Sequence, residues 1–328
     1  MTRRGFLGIL VCGVLWPTAS YAQRADRPHR VAILMTTQKD RVWHLAKALH
    51  DGLRALGYEE GRDVAYDHRF AEGRMEQLDA LAAELVSAKP DVIVVGPNTS
   101  VVAAMRASKS VPIVGTVLNE PVASGFVNSF SHPGGNITGL SADVTAETWG
   151  LRVQLLKELN KDVARVAVLW NPEVLGMQSS WTATEDAAKR FGMALASYEV
   201  RNISALREAF VSIAGEGRAD ALLVFGDGLT YSRRHEIIEF ANRIRLPDFY
   251  TWREMVEEGG LVSYGYNLAD AYRRSAAFVD KILKGQAPGD LPIELPTKLE
   301  LLVNMRTAKA RGLVISSAFL ARADEVID

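Results

Sequence analysis

The sequence predicts two similar α/β lobes, each built on a doubly wound parallel sheet, and three observations carry that expectation. Strand-like and helix-like segments alternate almost throughout the 328 residues, which is the pattern of layered α/β domains. Once a short N-terminal leader is set aside, about 300 residues remain, enough for two domains that each bury a core. Landmark residues also recur at matched spacing. Val31 to the helix-ending Gly57 spans 26 residues, as does Val166 to Gly192; Val31 to Pro112 spans 81, as does Val166 to Pro247. Between these markers, Pro90-Asp91-Val92-Ile93-Val94-Val95-Gly96 is echoed by Ala219-Asp220-Ala221-Leu222-Leu223-Val224-Phe225-Gly226. The two stretches read as copies of one βαβαβαβ unit.

Each element follows from its pattern. The short apolar run 31–35 is a strand. Val42, Leu45, Ala46, Leu49, Leu53 and Leu56 then form one helical stripe that Gly57 ends. Val64, Tyr66, His68 and Phe70 alternate as a strand with one buried face, and Met75, Leu78, Leu81, Ala82 and Leu85 mark a second helix. Strands at 92–95 and 113–118 flank a helix through Val101, Val102 and Met105. The second series opens with a helix through Trp149, Val153, Leu156 and Leu159 and a strand at 166–170. Trp181, Thr184, Ala188 and Phe191 line the next helix, which stops at Gly192, and a strand follows at 195–200. Leu206, Phe210 and Ile213 mark a helix, 222–225 a strand, and Ile237, Phe240, Ala241 and Ile244 a helix before Leu246-Pro247.

The first 22 residues read as a cleavable signal peptide, which implies export to the periplasm. Arg3 and Arg4 form a positive start, 5–15 is apolar, and Ser20-Tyr21-Ala22 is a small-x-small site with cleavage after Ala22. The apolar run falls well short of the ~20 residues that span a bilayer. The two arginines followed by Gly5-Phe6-Leu7 also resemble a twin-arginine signal, which exports folded proteins. Cys12, the only cysteine, is preceded by Val11, a poor fit to a lipid-anchor site, and leaves with the leader; the mature chain then has no disulfide or thiol chemistry.

Net charge is −1 with 23% charged residues and no basic block, so nucleic acid is not an expected partner. No second apolar stretch approaches membrane-spanning length, which predicts no stable membrane insertion, and a monomer is expected. His29, His44, His50, His68, His132 and His235 show no paired ligand spacing, and no metal site is expected. His44 and His50 lie six apart on a helix, roughly 600° of rotation, and so do not share a face. The chain has no Gly-x-Ser-x-Gly elbow and no phosphate loop, and Gly226-Asp227-Gly228 does not extend to a dinucleotide fingerprint. No catalytic residue or cofactor is expected, and the protein reads as a non-enzyme.

Open parallel sheets bind ligands beyond the carboxyl ends of their strands, and a cleft between two lobes is a common place for a pocket. Small-molecule candidates therefore lie on the strand-end loops. Asn98, Thr99 and Ser100 open a helix, where hydroxyls, an amide and backbone N–H groups can hold a carboxylate; the same residues also serve as ordinary N-caps. Thr36 and Thr37 carry the same two readings. Asp227, between two glycines, can accept from an ammonium or hydroxyl, or simply make a turn, and Asn119 and Glu120 sit on an equivalent loop. Trp170, Tyr250 and Trp252 offer flat apolar walls or plain core packing, and Asn171 before Pro172 is a cleft-loop or turn residue.

Several motifs then resemble one family. Gly125-Phe126-Val127 followed by His132-Pro133-Gly134-Gly135-Asn136-Ile137-Thr138-Gly139-Leu140 is similar to the central signature of ABC-transporter substrate-binding proteins related to tryptophan- and tyrosine-binding importer components. Gly57-Tyr58-Glu59-Glu60-Gly61-Arg62, Val168-Leu169-Trp170-Asn171-Pro172, the 259–265 segment containing Tyr264, Leu295-Pro296-Thr297-Lys298 and the terminal 320–327 segment fit in the right order. The resemblance implies a type I periplasmic binding protein fold whose chain crosses three times between lobes, near 136–141, 262–266 and 293–297. Lobe one would hold 29–138 and 265–292, and lobe two 139–264 and 293–328, with the ligand in the cleft between them. Tyr264, on a crossing segment, joins the candidate ligand residues. The implied function is capture of a small polar metabolite, with an amino acid the leading case, for an ABC permease and its ATPase. A periplasmic sensor that presents ligand to a receptor, or an exported hydrolase, are the alternatives. Asn98-Thr99-Ser100 and Glu120-Pro121 depart from the family pattern on loops where a ligand is expected.

Overall fold

The alternation of apolar strands and amphipathic helices resolves into two sheets, one per lobe. The computed structural model describes residues 27–142, 146–215, 219–296 and 298–328; the expected signal peptide lies outside them. The first lobe runs β1 (His29–Met35), α1 (Lys39–Ala55), β2 (Val64–Phe70), α2 (Leu78–Ser87), β3 (Val92–Val95), α3 (Asn98–Ala107), β4 (Ile113–Leu118) and β5 (Ile137–Ser141). These strands pair in the order β2-β1-β3-β4-β5, all parallel.

The second lobe runs α4 (Ala146–Leu159), β6 (Arg165–Trp170), α5 (Met177–Arg190), β7 (Ala194–Glu199), α6 (Ile203–Ala214) and β8 (Ala221–Val224). It continues through α7 (Gly228–Ser232), α8 (Arg234–Ile244), β9 (Asp248–Tyr250), α9 (Arg253–Glu257) and β10 (Val262–Gly265). Its sheet repeats the first order as β7-β6-β8-β9-β10 and is widened at β10 by two more strands. Before them α10 (Leu268–Leu283) returns to the first lobe, where Tyr272, Ala276 and Val279 share a core with the α1 stripe. The chain then finishes in lobe two with β11 (Glu300–Asn304), antiparallel to β10, followed by α11 (Met305–Arg311), α12 (Ser317–Leu320) and β12 (Glu325–Ile327).

The matched spacings are matched local structures. Gly57 and Gly192 both take left-handed backbone (φ 93° and 67°) just past α1 and α5. At each, two N–H groups fold back on the last carbonyls: Gly57 to Arg54 and Tyr58 to Leu53, Gly192 to Lys189 and Met193 to Ala188. The Pro112 and Pro247 carbonyls each accept from the neighbouring strand, from Ile93 at 2.9 Å and Leu222 at 2.8 Å. Asp91 and Asp220 do the same job in the two sheets, each accepting at 2.7 Å from a backbone N–H near the start of the lobe's first strand, Arg30 of β1 or Arg165 of β6.

Burial on both sides explains the near-continuous apolar strands. Val31, Ile33 and Met35 of β1 face one core and Ala32 and Leu34 the other; β6 divides Val166, Val168 and Trp170 from Ala167 and Leu169 in the same way. The second lobe also holds a buried ion pair. Arg311 Nη2 donates to Asp248 Oδ2 at 2.9 Å, with Tyr250 OH on the same oxygen at 2.6 Å and the Leu261 N–H on Oδ1 at 2.8 Å.

The lobe limits differ from expectation by a few residues. The segments 136–141 and 262–266, near which the chain is expected to cross between lobes, supply the fifth strand of each sheet, and the chain passes to the other lobe directly after each. A limit at 138 would split β5, which pairs with β4 as far as Ser141. Ile293 and Glu294 also stay with lobe one: the Ile293 N–H donates to Phe130 O at 2.7 Å and Glu294 bridges Leu140. No helix among the described residues is long and apolar enough to cross a membrane.

Candidate ligand site between the lobes

The carboxyl ends of both sheets face each other across the cleft. Two small adjoining cavities, of about 30 and 20 Å³, lie there and share Pro97, Val117, Asp227, Gly228 and Trp252 in their walls. Apart from Thr36 the first is otherwise apolar and aromatic, with Met35, Val42, Leu45, Tyr231, Leu268 and Tyr272; the second adds Thr99, Asn119, Trp149, Met177 and Tyr266.

Asp227 is the charged centre of this space. It is 2% exposed, and its Oδ1 caps α7, accepting from the Thr230 N–H at 2.7 Å, while Oδ2 has no hydrogen-bond partner among the described residues. Burial pushes its pKa up from 3.8 to about 6, against hydrogen bonds from Thr230 and Leu229 that pull the other way. Close approach requires glycine at 226 and leaves little room for a side chain at 228. A Cβ at 226 would lie 2.6 Å from the Trp252 ring, and one at 228 would lie 3.1 Å from Thr36 Cγ2 and 3.3 Å from Thr99 Oγ1 across the cleft.

Further buried polar atoms around the cavities have no partner among the described residues: Thr99 Oγ1, Asn119 Oδ1, Tyr231 OH and Trp149 Nε1. Leaving such groups unpaired is costly, and a polar ligand is the natural partner for them. Trp149 is held in place by Phe225, ring centroids 4.0 Å apart, and by the Arg152 guanidinium 4.2 Å over its face.

The structure brings Thr36, Asn98, Thr99, Asn119, Asp227 and Trp252 to the cavity walls, and leaves Thr37 and Ser100 buried beside them without lining contact. Other expected residues face elsewhere. Asn98 is already saturated: its Nδ2 donates to Asn119 O, Ser124 Oγ and, across the cleft, Leu175 O at 2.7 Å, while its Oδ1 accepts from the Asn119 N–H. It is a strut between lobes rather than a free ligand group. Trp170 stacks on Trp181 at 4.8 Å and donates to Ser197, and Tyr250 is fully buried with its hydroxyl on Asp248. Tyr264 packs against the second-lobe core and offers only its carbonyl, to Arg152. Asn171 caps its own turn through the Glu173 N–H, and Glu120 lies outside both cavity walls. Tyr231, Trp149, Tyr272 and Met177 were not anticipated as wall residues. Each sits on a helix at or beyond a strand-end loop, where only the meeting of the two lobes shows what it faces.

Two matched α/β lobes meeting over a buried, polar-studded cleft define the type I periplasmic binding protein fold. The chain belongs to the ABC transporter substrate binding protein family, whose profile matches residues 30–327. It is 26% identical over 277 residues, 84% of this chain and 79% of the relative, to a tyrosine-binding protein of Clostridioides difficile. A conserved domain protein from Vibrio cholerae superposes with a TM-score of 0.84 at 28% identity, covering 92% of this chain and 100% of that one. A Streptococcus domain crystallised with L-Trp gives the same TM-score at 22% identity and the same coverage. The ligand-free, open structure of a Clostridium difficile substrate binding protein gives 0.64 at 23% identity, over 91% of this chain and 99% of that one.

Proposed function

We propose that this protein is the periplasmic binding component of an ABC importer and captures an amino acid, aromatic by preference, by closing its lobes. The observation that carries this reading is Asp227 Oδ2, a buried carboxylate oxygen without a partner, set among Trp252, Tyr231 and other aromatic walls. An α-ammonium would supply the missing partner and restore ionisation of the carboxylate. A flat side chain would lie against the aromatic walls. The first turn of α3, at Asn98 and Thr99, presents backbone N–H groups suited to the substrate carboxylate. The ligands named for the tyrosine-binding relative and the L-Trp complex support the class of substrate. Ligand touching both lobes would favour the closed form through its differential affinity, and an ABC permease with its ATPase would receive the cargo. The leader expected over 1–22 agrees with work outside the cytoplasm.

The test is native mass spectrometry of the purified protein, followed by a thermal-shift screen of the common amino acids. Tryptophan or tyrosine is expected to raise Tm most, through mass action on the folded state. A flat response to every amino acid would end this reading.

The Asn98 strut gives a separate expectation. Asn98→Ala strands the Leu175 carbonyl and the Asn119 N–H, a loss of about 1–3 kcal/mol that falls largely on the closed form. Small-angle scattering should then show a more open ligand-free protein, with ligand affinity lowered about tenfold. An unchanged radius of gyration would show that the bond does not hold the lobes together.

A further inference from the structure

His50 and His68 are separated in sequence and lie on different elements, yet their Nε2 atoms meet at 3.2 Å in a ring-to-ring hydrogen bond, whose shared proton a bound ion would replace. Their ring centroids are 5.2 Å apart. Two imidazoles on one tetrahedral ion, with metal–nitrogen bonds of about 2.0–2.1 Å, would place those nitrogens roughly 3.3 Å and the centroids roughly 5 Å apart. From this match we infer that His50 of α1 and His68 of β2 form a binding site for a divalent transition-metal ion of the Cu²⁺, Ni²⁺ or Zn²⁺ class. The site lies at the edge strand of the first sheet, and neither histidine lines the ligand cavities.

The surroundings hold the rings ready. Tyr66 stacks on His50 at 3.7 Å, Phe70 lies parallel to His68 at 6.1 Å, and Trp43 approaches both histidines. Orientation by packing lowers the entropy cost of chelation. Burial pushes the pKa of His50 down to about 4, and burial lowers that of His68 as well. The charged neighbours are Lys39 and Asp67 beside His68, and Asp51, Arg54 and Lys47 beside His50. Asp51 is paired with Lys47 and Arg54, and Asp67 with Arg30, so these carboxylates are engaged elsewhere. No group of three or more metal-binding side chains occurs among the described residues. The ion would take two nitrogens from the protein and the rest of its shell from water, which ranks Cu²⁺ first by the Irving–Williams order.

The sequence spacing hid this pair. His50 follows a helical period and His68 a strand period, and only the fold of β2 beside α1 joins them. An ion held by both would clip that edge strand to the helix.

The test titrates untagged protein with Cu²⁺ and records calorimetry, electron paramagnetic resonance and Tm, on wild type, His50→Gln and His68→Gln. The expected result is one ion per chain with two coordinated nitrogens, a Tm rise in wild type alone, and at least tenfold weaker binding in each variant. Equal affinity in wild type and both variants, or a wild-type spectrum without two nitrogen ligands, would overturn the site. If a variant does not fold, the wild-type spectrum decides.

Discussion

Asp227→Asn is expected to weaken amino-acid binding by about two to three orders of magnitude at pH 7.5 while leaving the fold intact. Asparagine keeps the oxygen that caps α7 and is itself a good N-cap, so the substitution removes charge rather than structure. Truncating one partner of a buried charged pair costs about 2–5 kcal/mol, which sets that range. Wild-type affinity should also fall as pH drops below about 6, where the ligand-free carboxyl takes up a proton, whereas the asparagine variant should be flat. Stability moves the opposite way. The folded pKa is above the unfolded 3.8, so between 3.8 and about 6 the folded chain binds more protons and this group's contribution worsens as pH rises. Above pH 6 the full cost, about 3 kcal/mol, is present. Ligand-free Asp227→Asn should therefore be the more stable protein at pH 7.5 and should lose that advantage by pH 4. Calorimetric titration and denaturant unfolding check both halves.

Asp248→Ala should be the most damaging single change to stability, at about 3–5 kcal/mol. Asp248 is fully buried, and Arg311, 2% exposed at its side chain, would be left charged and without its carboxylate. Arg311 also holds Asn242 and the Leu246 carbonyl, so the damage would spread through α8 and β9. In a lobe of this size a fall in Tm of roughly 10 °C corresponds to that loss. Adding Arg311→Met should recover part of it, because the stranded charge goes and its stem volume stays. A double variant no more stable than the single one would show that the pair is not the unit that matters.

The duplicated lobe was legible in the sequence because caps and strand starts are local. Gly57 and Gly192, Pro112 and Pro247, and Asp91 and Asp220 each do the same backbone work in both halves. The site was legible only as loops. Strand-end topology brought Thr36, Thr99, Asn119, Asp227 and Trp252 forward, and these residues do line the cavities. It could not say which way an aromatic ring turns at a strand end. Trp170 turns to Trp181 and Tyr250 to Asp248, while Trp252, beyond the last paired residue of β9, escapes the strand alternation and reaches the cleft. Tyr231, Trp149 and Tyr272 stayed hidden because their helices serve the core and the cleft at once. Asn98 looked like a ligand group because its partners on Asn119 and Leu175 are 21 and 77 residues away.

Asp227 is proposed to recognise the ammonium of a captured amino acid. Calorimetric titration with tryptophan and tyrosine, beside the same two acids lacking the α-amino group, tests it most directly. Loss of at least a hundredfold in affinity for the deaminated acids on wild type, and a much smaller gap on Asp227→Asn, is the predicted result. Equal affinity for both members of each pair on the wild-type protein would contradict it.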